Sequence, residues 1–235
     1  MDPIVKICGL STPETLDAAL DAGAEWVGFV SFPRSPRHVD LETGRALSAR
    51  ARGRARRVVL LVDPEDAAIA AAVAALDPDL LQLHGHETPE RVAAIRERFG
   101  RPVMKAVGVA GAADLDTAAG YAGVADHLLL DAKPPGTPEA LPGGNGLPFD
   151  WRLLAGPRPW KALDPTLPFM LSGGLTVGNV AAAIRLTRAR AVDVSSGVEV
   201  EPGLKDPARI EAFITAARTA FAASPTTPQN QGNPS

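Results

Sequence analysis

Eight short apolar segments alternate with eight helical patterns along the 235 residues of the chain, and this alternation constrains the fold most strongly. Each apolar segment has the length of a buried strand, and the stretch that follows it carries apolar residues at helical spacing. The predicted strands are residues 4–8, 26–30, 57–62, 80–84, 102–107, 126–130, 168–172 and 191–194. The predicted helices are residues 13–22, 41–51, 64–76, 89–99, 112–121, 149–154, 177–187 and 207–222.

Strands that are each followed by a helix lie parallel, and units of about 28 residues have the size of one βα repeat. Eight such units predict an α/β fold, a single-domain (β/α)8 TIM barrel with a closed parallel eight-stranded sheet, over residues 1–223. Thr12-Pro13, Asp63-Pro64 and Asp206-Pro207 indicate helix starts, because a capping side chain precedes a first-turn proline. Residues 224–235 contain no apolar side chain except prolines, which predicts a disordered C-terminal tail.

Charge and cysteine content argue against several kinds of partner. The net charge of −3 provides no general attraction for nucleic acid or for an anionic membrane. The cluster from Arg50 to Arg57 is predicted to be a solvated connection between a helix and a strand. One cysteine, Cys8, indicates a reducing compartment, and neither a signal-peptide pattern nor a membrane-spanning apolar run is present. We therefore expect a cytoplasmic protein with no nucleic acid, no membrane and no obligate protein partner.

Two loops of small residues follow the last two predicted strands. Gly173 and Gly174 end the first of these strands, and Ser195, Ser196 and Gly197 end the second. Glycines let backbone N–H groups approach an anion closely, and serines add hydroxyl donors. Either loop alone also fits an ordinary tight turn, but the pair in consecutive units predicts a phosphate site, as in other barrels of this type.

Polar residues occur at the ends of strands that are otherwise apolar. Strand side chains alternate between faces, so an outward apolar pair in the first strand leaves Lys6 and Cys8 facing the barrel interior. The same reasoning predicts that the interior holds Lys6, Lys105 and Asp193, below Cys8, His84 and Asp131 at the rim. We expect Asp193 to pair with the buried ammonium of Lys6, and the lysines to lower the pKa of the Cys8 thiol.

Cys8 and Asp131 then face each other across the rim, where this fold places its chemistry. A thiolate and a carboxylic acid on opposite sides of a ligand form a base–acid pair. The other interpretation is a small buried side chain at Cys8 and a turn cap at Asp131.

Further loops at the same rim offer ligand contacts. Arg37 presents a planar fork that suits a carboxylate, while Gly144, Asn145 and Gly146 offer backbone donors in a long loop. An ordinary surface loop fits each of these two segments equally well. The four histidines lack the spacing of metal ligands, and we predict neither a metal nor a cofactor.

Several of these segments, in this order, resemble the phosphoribosylanthranilate isomerase family over nearly all of residues 4–221. The matching segments are Lys6-Ile7-Cys8-Gly9, Gly28-Phe29-Val30 with Ser35-Pro36-Arg37, Gln82-Leu83-His84-Gly85, Leu129-Leu130-Asp131, Gly143-Gly144-Asn145-Gly146 with Phe149-Asp150-Trp151, Leu171-Ser172-Gly173-Gly174-Leu175 and Asp193-Val194-Ser195-Ser196-Gly197-Val198-Glu199.

The resemblance implies a (β/α)8 barrel of tryptophan biosynthesis that needs no cofactor or metal and acts on a small-molecule phosphosugar. It implies an Amadori rearrangement of N-(5-phosphoribosyl)anthranilate to 1-(2-carboxyphenylamino)-1-deoxy-D-ribulose 5-phosphate. In that reaction Asp131 resembles the general acid, Cys8 the general base, and Arg37 the arginine near the anthranilate carboxylate. His84, Gly144, Asn145 and Gly146 are expected to bind substrate, and Gly173, Gly174, Ser195, Ser196 and Gly197 to bind its phosphate. The chain departs from the family's pattern at Leu147-Pro148, where a more polar, basic pair is expected.

Two other classes of function share parts of this pattern. Another phosphosugar barrel, such as an indole-glycerol-phosphate synthase or a histidine-pathway isomerase, has the phosphate loops but uses other residues at the first strand. A non-catalytic barrel that only binds a phosphate ligand has no need of Cys8 or Asp131. The presence of both residues favours the isomerase.

Overall fold

The computed structural model describes residues 2–134, 141–155 and 167–224. Eight parallel strands close into a barrel in chain order, with the last strand paired to the first, which confirms the predicted (β/α)8 fold. The strands are Ile4–Cys8 (β1), Trp26–Val30 (β2), Arg56–Leu61 (β3), Leu80–Leu83 (β4), Val103–Val109 (β5), His127–Ala132 (β6), Phe169–Leu171 (β7) and Ala191–Val194 (β8).

Helices surround this barrel, and a small hairpin follows β8. The helices are Pro13–Asp21 (α1), Leu41–Ala51 (α2), Asp66–Leu76 (α3), Pro89–Phe99 (α4), Ala112–Ala119 (α5), Val180–Thr187 (α6) and Pro207–Ala223 (α7), with 3-10 helices at Trp151–Leu154 and Ser196–Val198. The hairpin strands, which the sequence did not predict, are Glu199–Glu201 (β9) and Leu204–Lys205 (β10). The helix predicted over residues 149–154 is thus a 3-10 helix. No helix in the described ranges combines the length and the apolar composition needed to cross a bilayer.

Two of the three predicted proline-preceding caps are present. Thr12 accepts a hydrogen bond from the Thr15 backbone N–H, and Asp206 accepts two at the start of α7. The predicted cap at Asp63 is wrong, because α3 begins at Asp66 and Asp63 has a φ of +43°. The Asp63 carboxylate accepts from the backbone N–H of His86 instead, so it joins the loops that follow β3 and β4.

Apolar side chains form two layers, one outside and one inside the barrel. Val5 and Ile7 of β1 point outward into the layer under the helices, as predicted, and leave Lys6 and Cys8 inside. The inner layer consists of Trp26, Val58, Leu80, Met104, Ala106, Leu129, Met170 and Ala191. Because Met104 and Ala106 face inward, the intervening residue of β5 must face outward.

The prediction that Lys105 lies in the barrel interior is therefore wrong. Its ammonium is buried outside the sheet, 2.9 Å from a Glu87 carboxylate oxygen and 2.7 Å from the carbonyl oxygen of Gly85. Both residues of β5 that flank Lys105 are apolar, as are the residues two positions away, so alternation could not decide its face.

Arginines and aspartates link neighbouring βα units near the amino ends of the strands. Arg50 and Arg54 are exposed and pair with Asp17 and Asp21 of α1, as expected for a solvated connection. Arg57 departs from that expectation: it is buried and forms two hydrogen bonds to the Asp79 carboxylate, at 2.9 and 2.8 Å. The predicted tail from residue 225 onward lies outside the described residues and stays a prediction.

Candidate functional site

One cavity opens at the carboxyl ends of the barrel strands, where the predicted site residues converge. Of the twelve predicted site residues, eleven line it: Cys8, Arg37, His84, Asp131, Gly144, Asn145, Gly146, Gly173, Gly174, Ser195 and Ser196. Gly197 is not among its lining residues; a side chain there would overlap the Leu175 carbonyl oxygen. The structure therefore brings together residues that the sequence placed at or after the ends of six different strands.

Cys8 lies at the end of β1 among charged side chains. Its thiol is 3% exposed, and Gly28 of β2 lies so close that an added Cβ there would be 2.9 Å from the sulfur. Lys6 lies two residues earlier in β1, on the same face, and pairs with Asp193 at 2.8 Å, which confirms the predicted partner. Ser172 extends this chain through a 3.3 Å hydrogen bond to the other Asp193 oxygen.

Burial is the largest influence on the Cys8 thiol, and it raises the Cys8 pKa above its ordinary value. The positive charge of Lys6 lowers the pKa but offsets only part of that effect, and Asp193 adds to the rise. Lys6 thus acts on this pKa in the predicted direction, but the prediction of a lowered Cys8 pKa is wrong because burial outweighs the lysine. For Lys6, burial lowers the pKa, but Asp193 and Cys8 outweigh it and hold the pKa above its ordinary range.

Asp131 lies at the end of β6 and contacts His84 of the loop after β4. The His84 Nε2 atom is 3.3 Å from one Asp131 oxygen, while the other oxygen accepts the backbone N–H of Ala132 at 2.8 Å. On its far side, the imidazole Nδ1 is 3.1 Å from the side-chain amide nitrogen of Gln82. His84 lines the cavity and also contacts the Asp131 carboxyl group, and its predicted contact with substrate stays a prediction.

The loop after β6 covers this pair. A Cβ added at Gly143 would lie 2.6 Å from the His84 ring and 2.8 Å from an Asp131 oxygen, so glycine permits the close approach. The Asn145 side-chain amide donates to the Leu141 carbonyl oxygen at 2.8 Å and holds the loop. Leu147, where the chain departs from the expected polar, basic pair, is 51% exposed and lines the cavity.

The two loops predicted to bind phosphate lie side by side at the ends of β7 and β8. Gly173 and Gly174 have φ values of +82° and +62°, a conformation that favours glycine. The backbone N–H groups of Gly173, Gly174 and Ser195 donate to no acceptor in the described part of the chain. These N–H groups are therefore available to an anion in the cavity.

Arg37 is buried at the cavity wall with its guanidinium on Glu199. Nε and Nη2 of Arg37 donate to the two Glu199 oxygens at 2.7 and 2.8 Å, and Nη2 also donates to the Gly144 carbonyl oxygen at 3.2 Å. Lys205 of β10 donates to the same carboxylate at 3.0 Å. The sequence interpretation gave no role to Glu199 or Lys205; the alternation around Pro202-Gly203, typical of a hairpin turn, is the signal that could have located them.

No group of three or more His, Cys, Asp or Glu side chains is arranged to hold a metal ion in residues 2–134, 141–155 and 167–224. The chemistry that the cavity offers is that of proton transfer and anion binding, through a thiol, a carboxyl group, one guanidinium and free backbone N–H groups.

Comparisons with known proteins show the family to which the chain is similar. The family model described as N-(5′-phosphoribosyl)anthranilate (PRA) isomerase matches residues 5–216. An N-(5′-phosphoribosyl)anthranilate isomerase of Azorhizobium caulinodans is 63% identical over 220 residues, which cover 94% of this chain and 93% of that protein. One of Nitrobacter hamburgensis is 58% identical over 220 residues, covering 94% and 95%.

Solved structures of the same family also superpose on this chain. The crystal structure of phosphoribosyl anthranilate isomerase from Thermotoga maritima superposes with a TM-score of 0.80 at 36% identity, covering 93% of this chain and 100% of that one. A crystal structure of the isomerase in complex with reduced 1-(o-carboxyphenylamino)-1-deoxyribulose 5-phosphate superposes with a TM-score of 0.78 at 35% identity, with the same coverage. The family model spans most of the chain, and the relatives match along nearly their whole length. This chain belongs to the N-(5′-phosphoribosyl)anthranilate isomerase family.

Proposed function

We propose that Cys8 and Asp131 carry out the proton transfers of this family's reaction, the isomerisation of N-(5′-phosphoribosyl)anthranilate in tryptophan biosynthesis. The observation that supports it best is that a thiol and a carboxyl group line one cavity beside loops with free backbone donors. Family membership removes the alternatives of another phosphosugar barrel and of a non-catalytic one.

The reaction begins with ring opening. Asp131, as general acid, protonates the furanose ring oxygen while the bond between C1 and that oxygen breaks. The nitrogen lone pair of the anthranilate moves to C1, which gives a protonated imine and a free hydroxyl group and leaves Asp131 as a carboxylate. His84, 3.3 Å from the Asp131 carboxyl group, is placed to hold it toward the ring oxygen.

Proton removal then completes the rearrangement. The Cys8 thiolate, as general base, takes the proton from C2 of the protonated imine. The electron pair of that C–H bond forms the C1–C2 double bond while the C–N double-bond pair returns to nitrogen, which gives the neutral enolamine. Tautomerisation moves the proton of the C2 hydroxyl group to C1 and leaves a ketone at C2. The product is an isomer of the substrate, so no oxidant or reductant is consumed. Each of the two assisted proton transfers is worth about 10²- to 10⁴-fold in rate.

The substrate has two anionic groups, and the cavity offers donors that suit each of them. Its phosphate fits the loops after β7 and β8, where Gly173, Gly174 and Ser195 offer backbone N–H groups and Ser196 a hydroxyl group. Its anthranilate carboxylate fits Arg37, the arginine among the residues that line the cavity. Gripping both ends fixes the ribose between Cys8 and Asp131, which lowers the entropic part of the barrier.

The test is turnover of N-(5′-phosphoribosyl)anthranilate, followed by the loss of anthranilate fluorescence. We expect turnover by the wild type and a loss of at least about 100-fold in kcat for both Asp131→Asn and Cys8→Ala. Circular dichroism shows that each variant is folded, and Ser224→Ala, far from the cavity at the end of α7, is the control that keeps full activity. A folded Cys8→Ala or Asp131→Asn variant with wild-type kcat contradicts the role of that residue.

A further inference from the structure

Glu199 holds Arg37 by a two-point contact within the protein, although the carboxylate itself is not among the cavity-lining groups. Its two oxygens accept Nε and Nη2 of Arg37 at 2.7 and 2.8 Å, and both side chains are almost fully buried. This contact spans 162 positions of the sequence and fixes the plane of the guanidinium. A bidentate pair of this kind has a defined direction, which a single contact lacks.

The geometry leaves one edge of Arg37 for a ligand. Nε donates to Glu199, and Nη2 donates to both Glu199 and the Gly144 carbonyl oxygen, so the N–H groups of these atoms are occupied. Nη1 makes no hydrogen bond among residues 2–134, 141–155 and 167–224, and it lies against Gly144, which has a φ of +74° and no side chain. Arg37 therefore meets the cavity through Nη1.

A second cation keeps the Glu199 carboxylate charged and connects it to the phosphate loop. Lys205 donates to Glu199 at 3.0 Å and to the Ser195 carbonyl oxygen at 3.1 Å. Burial raises the pKa of Glu199, but hydrogen bonds from Arg37 and the charge of Lys205 outweigh it and leave the pKa below its ordinary range. Arg209 of α7 donates to the Glu199 backbone carbonyl oxygen and anchors the hairpin strand that carries this residue.

We infer that Glu199 is a positioning residue that aims Arg37 at the carboxylate of the substrate and, through Lys205, joins this grip to the phosphate loop at Ser195. The inference rests on the proposed function, because it takes the ligand's carboxylate as the partner of Arg37. Glu199 touches no reacting atom; it acts by fixing the direction of the Arg37 fork. We expect the loss of Glu199 to reduce the preference for ligands that carry the carboxylate, rather than to slow proton transfer.

The decisive variant is Glu199→Gln, which keeps the shape of the side chain. A glutamine has one acceptor oxygen and one NH₂ group, so its amide nitrogen faces N–H donors of Arg37 or Lys205 and cannot accept from them. The fork is then held at one point and can turn away from the ligand. Glu199→Asp keeps the charge between Arg37 and Lys205 but withdraws it by one methylene, and we expect an intermediate effect.

The readout is the affinity of two inhibitors that differ only in the carboxylate. The first is reduced 1-(o-carboxyphenylamino)-1-deoxyribulose 5-phosphate, and the second is the same compound with aniline in place of anthranilate. We expect Glu199→Gln to weaken the first by about 10- to 100-fold, the range of a charged hydrogen bond, and the second by less than about threefold. With the substrate, KM rises by a similar factor and kcat changes little.

Asp79→Asn is the matched control, because it also removes a carboxylate that receives two hydrogen bonds from an arginine, at the opposite end of the barrel. It is expected to lower stability and to leave the ratio of the two inhibitor affinities unchanged. Equal weakening of both inhibitors by Glu199→Gln, or wild-type selectivity in a folded Glu199 variant, overturns the inference. If Glu199→Gln does not fold, Glu199→Asp carries the same test.

Failure of the proposed function gives a different result. A wild-type protein that does not turn over N-(5′-phosphoribosyl)anthranilate contradicts the proposed function itself. A wild type that turns it over and prefers the carboxylated inhibitor, beside a Glu199 variant that keeps this preference, contradicts the role of Glu199 alone.

Discussion

At the scale of single residues, the central feature is the Cys8 thiol, because burial and the neighbouring Lys6 ammonium shift its pKa in opposite directions. Burial keeps the Cys8 pKa above its ordinary value, while Lys6 opposes this effect through its charge and a hydrogen bond. Lys6 in turn stays charged because Asp193 pairs with it at 2.8 Å. The basicity of Cys8 thus depends on the ion pair of Lys6 and Asp193. A base with a raised pKa is a stronger proton acceptor once it is ionised.

This arrangement predicts the direction in which Lys6→Met moves the titration of Cys8. Removing the ammonium removes the influence that lowers the pKa, so the Cys8 pKa rises further and alkylation by iodoacetamide at a fixed pH of about 8 becomes slower. The measurement is the pH dependence of alkylation, which reports only Cys8 because the chain has one cysteine. In the wild type, kcat/KM is expected to rise with pH over the range in which the Cys8 thiol ionises, since the thiolate is the base.

Lys105→Met is the matched control for that experiment. It also removes a buried ammonium from an ion pair, but this one lies outside the barrel on Glu87. We expect Lys105→Met to leave the Cys8 titration where it is in the wild type. A titration that does not move in folded Lys6→Met, or that moves equally in both variants, contradicts the account.

At the scale of elements, the loops after β7 and β8 depend on glycines for two separate reasons. Gly173 and Gly174 adopt positive φ and expose N–H groups to the cavity. Gly197 instead lets the loop after β8 pack closely against the loop after β7, since any side chain there overlaps the Leu175 carbonyl oxygen. One glycine position therefore controls how the loops after β7 and β8 fit together.

Gly197→Ala is expected to separate these loops and to weaken anion binding. The overlap is with backbone, which cannot rotate away, so we expect a loss of about 2–4 kcal/mol in the free energy of unfolding. Inhibition by inorganic phosphate weakens as well, because the N–H groups no longer converge. Thermal denaturation and phosphate inhibition measure the two effects.

Gly178→Ala is the control in the same region. A Cβ there meets only the Thr176 hydroxyl oxygen, at 3.8 Å, so stability and phosphate inhibition stay within wild-type range. Phosphate inhibition of Gly197→Ala that equals the wild type speaks against the packing role.

At the scale of the whole molecule, the barrel has a chemically active end and an end that is closed by aromatic and charged side chains. His127 of β6 packs edge-on against Trp26 of β2 with ring centroids 5.1 Å apart, and Arg56 lies 4.8 Å above the Trp26 ring. Burial, followed by the charge of Arg56, lowers the pKa of His127 to about 4, although Asp126 opposes the shift. The fold therefore favours the neutral imidazole.

This pKa predicts how stability depends on pH. The unfolded chain protonates His127 near pH 6.5, but the folded protein does so only near pH 4, so between these values unfolding takes up a proton. Stability is full above about pH 6.5 and falls as the pH drops toward about 4, by about 1–3 kcal/mol after discounting for solvent screening.

Denaturant unfolding of the wild type and His127→Gln across this pH range tests the prediction. In His127→Gln, we expect the free energy of unfolding to change less steeply with pH, by the contribution of one proton. His86→Gln, at a side chain that is 95% exposed, keeps the wild-type pH dependence. An unchanged slope in His127→Gln shows that another group is responsible.

Local pattern was enough for the fold and for much of the site. Alternating apolar segments and helical patterns predict parallel strands covered by helices, and a (β/α)8 barrel is the simplest closure of eight such units. In β1, only one orientation places Val5 and Ile7 under the helices, so Lys6 and Cys8 had to face inward. Strand ends of a parallel barrel meet at one rim, which is why Cys8, Asp131, Arg37 and the glycine loops were predicted as one site.

Tertiary structure decided the matters on which the local pattern was silent or misleading. Residues 103–107 are apolar on both sides of Lys105, so only pairing with β4 and β6 fixed its face. Asp63 resembles a cap locally, yet its carboxylate binds His86 of the next loop. Glu199 reaches Arg37 across 162 positions of the sequence, and burial rather than a neighbouring charge dominates the Cys8 pKa. Periodicity is a property of neighbours along the chain, whereas burial and ion pairing depend on neighbours in space, which only the folded barrel brings together.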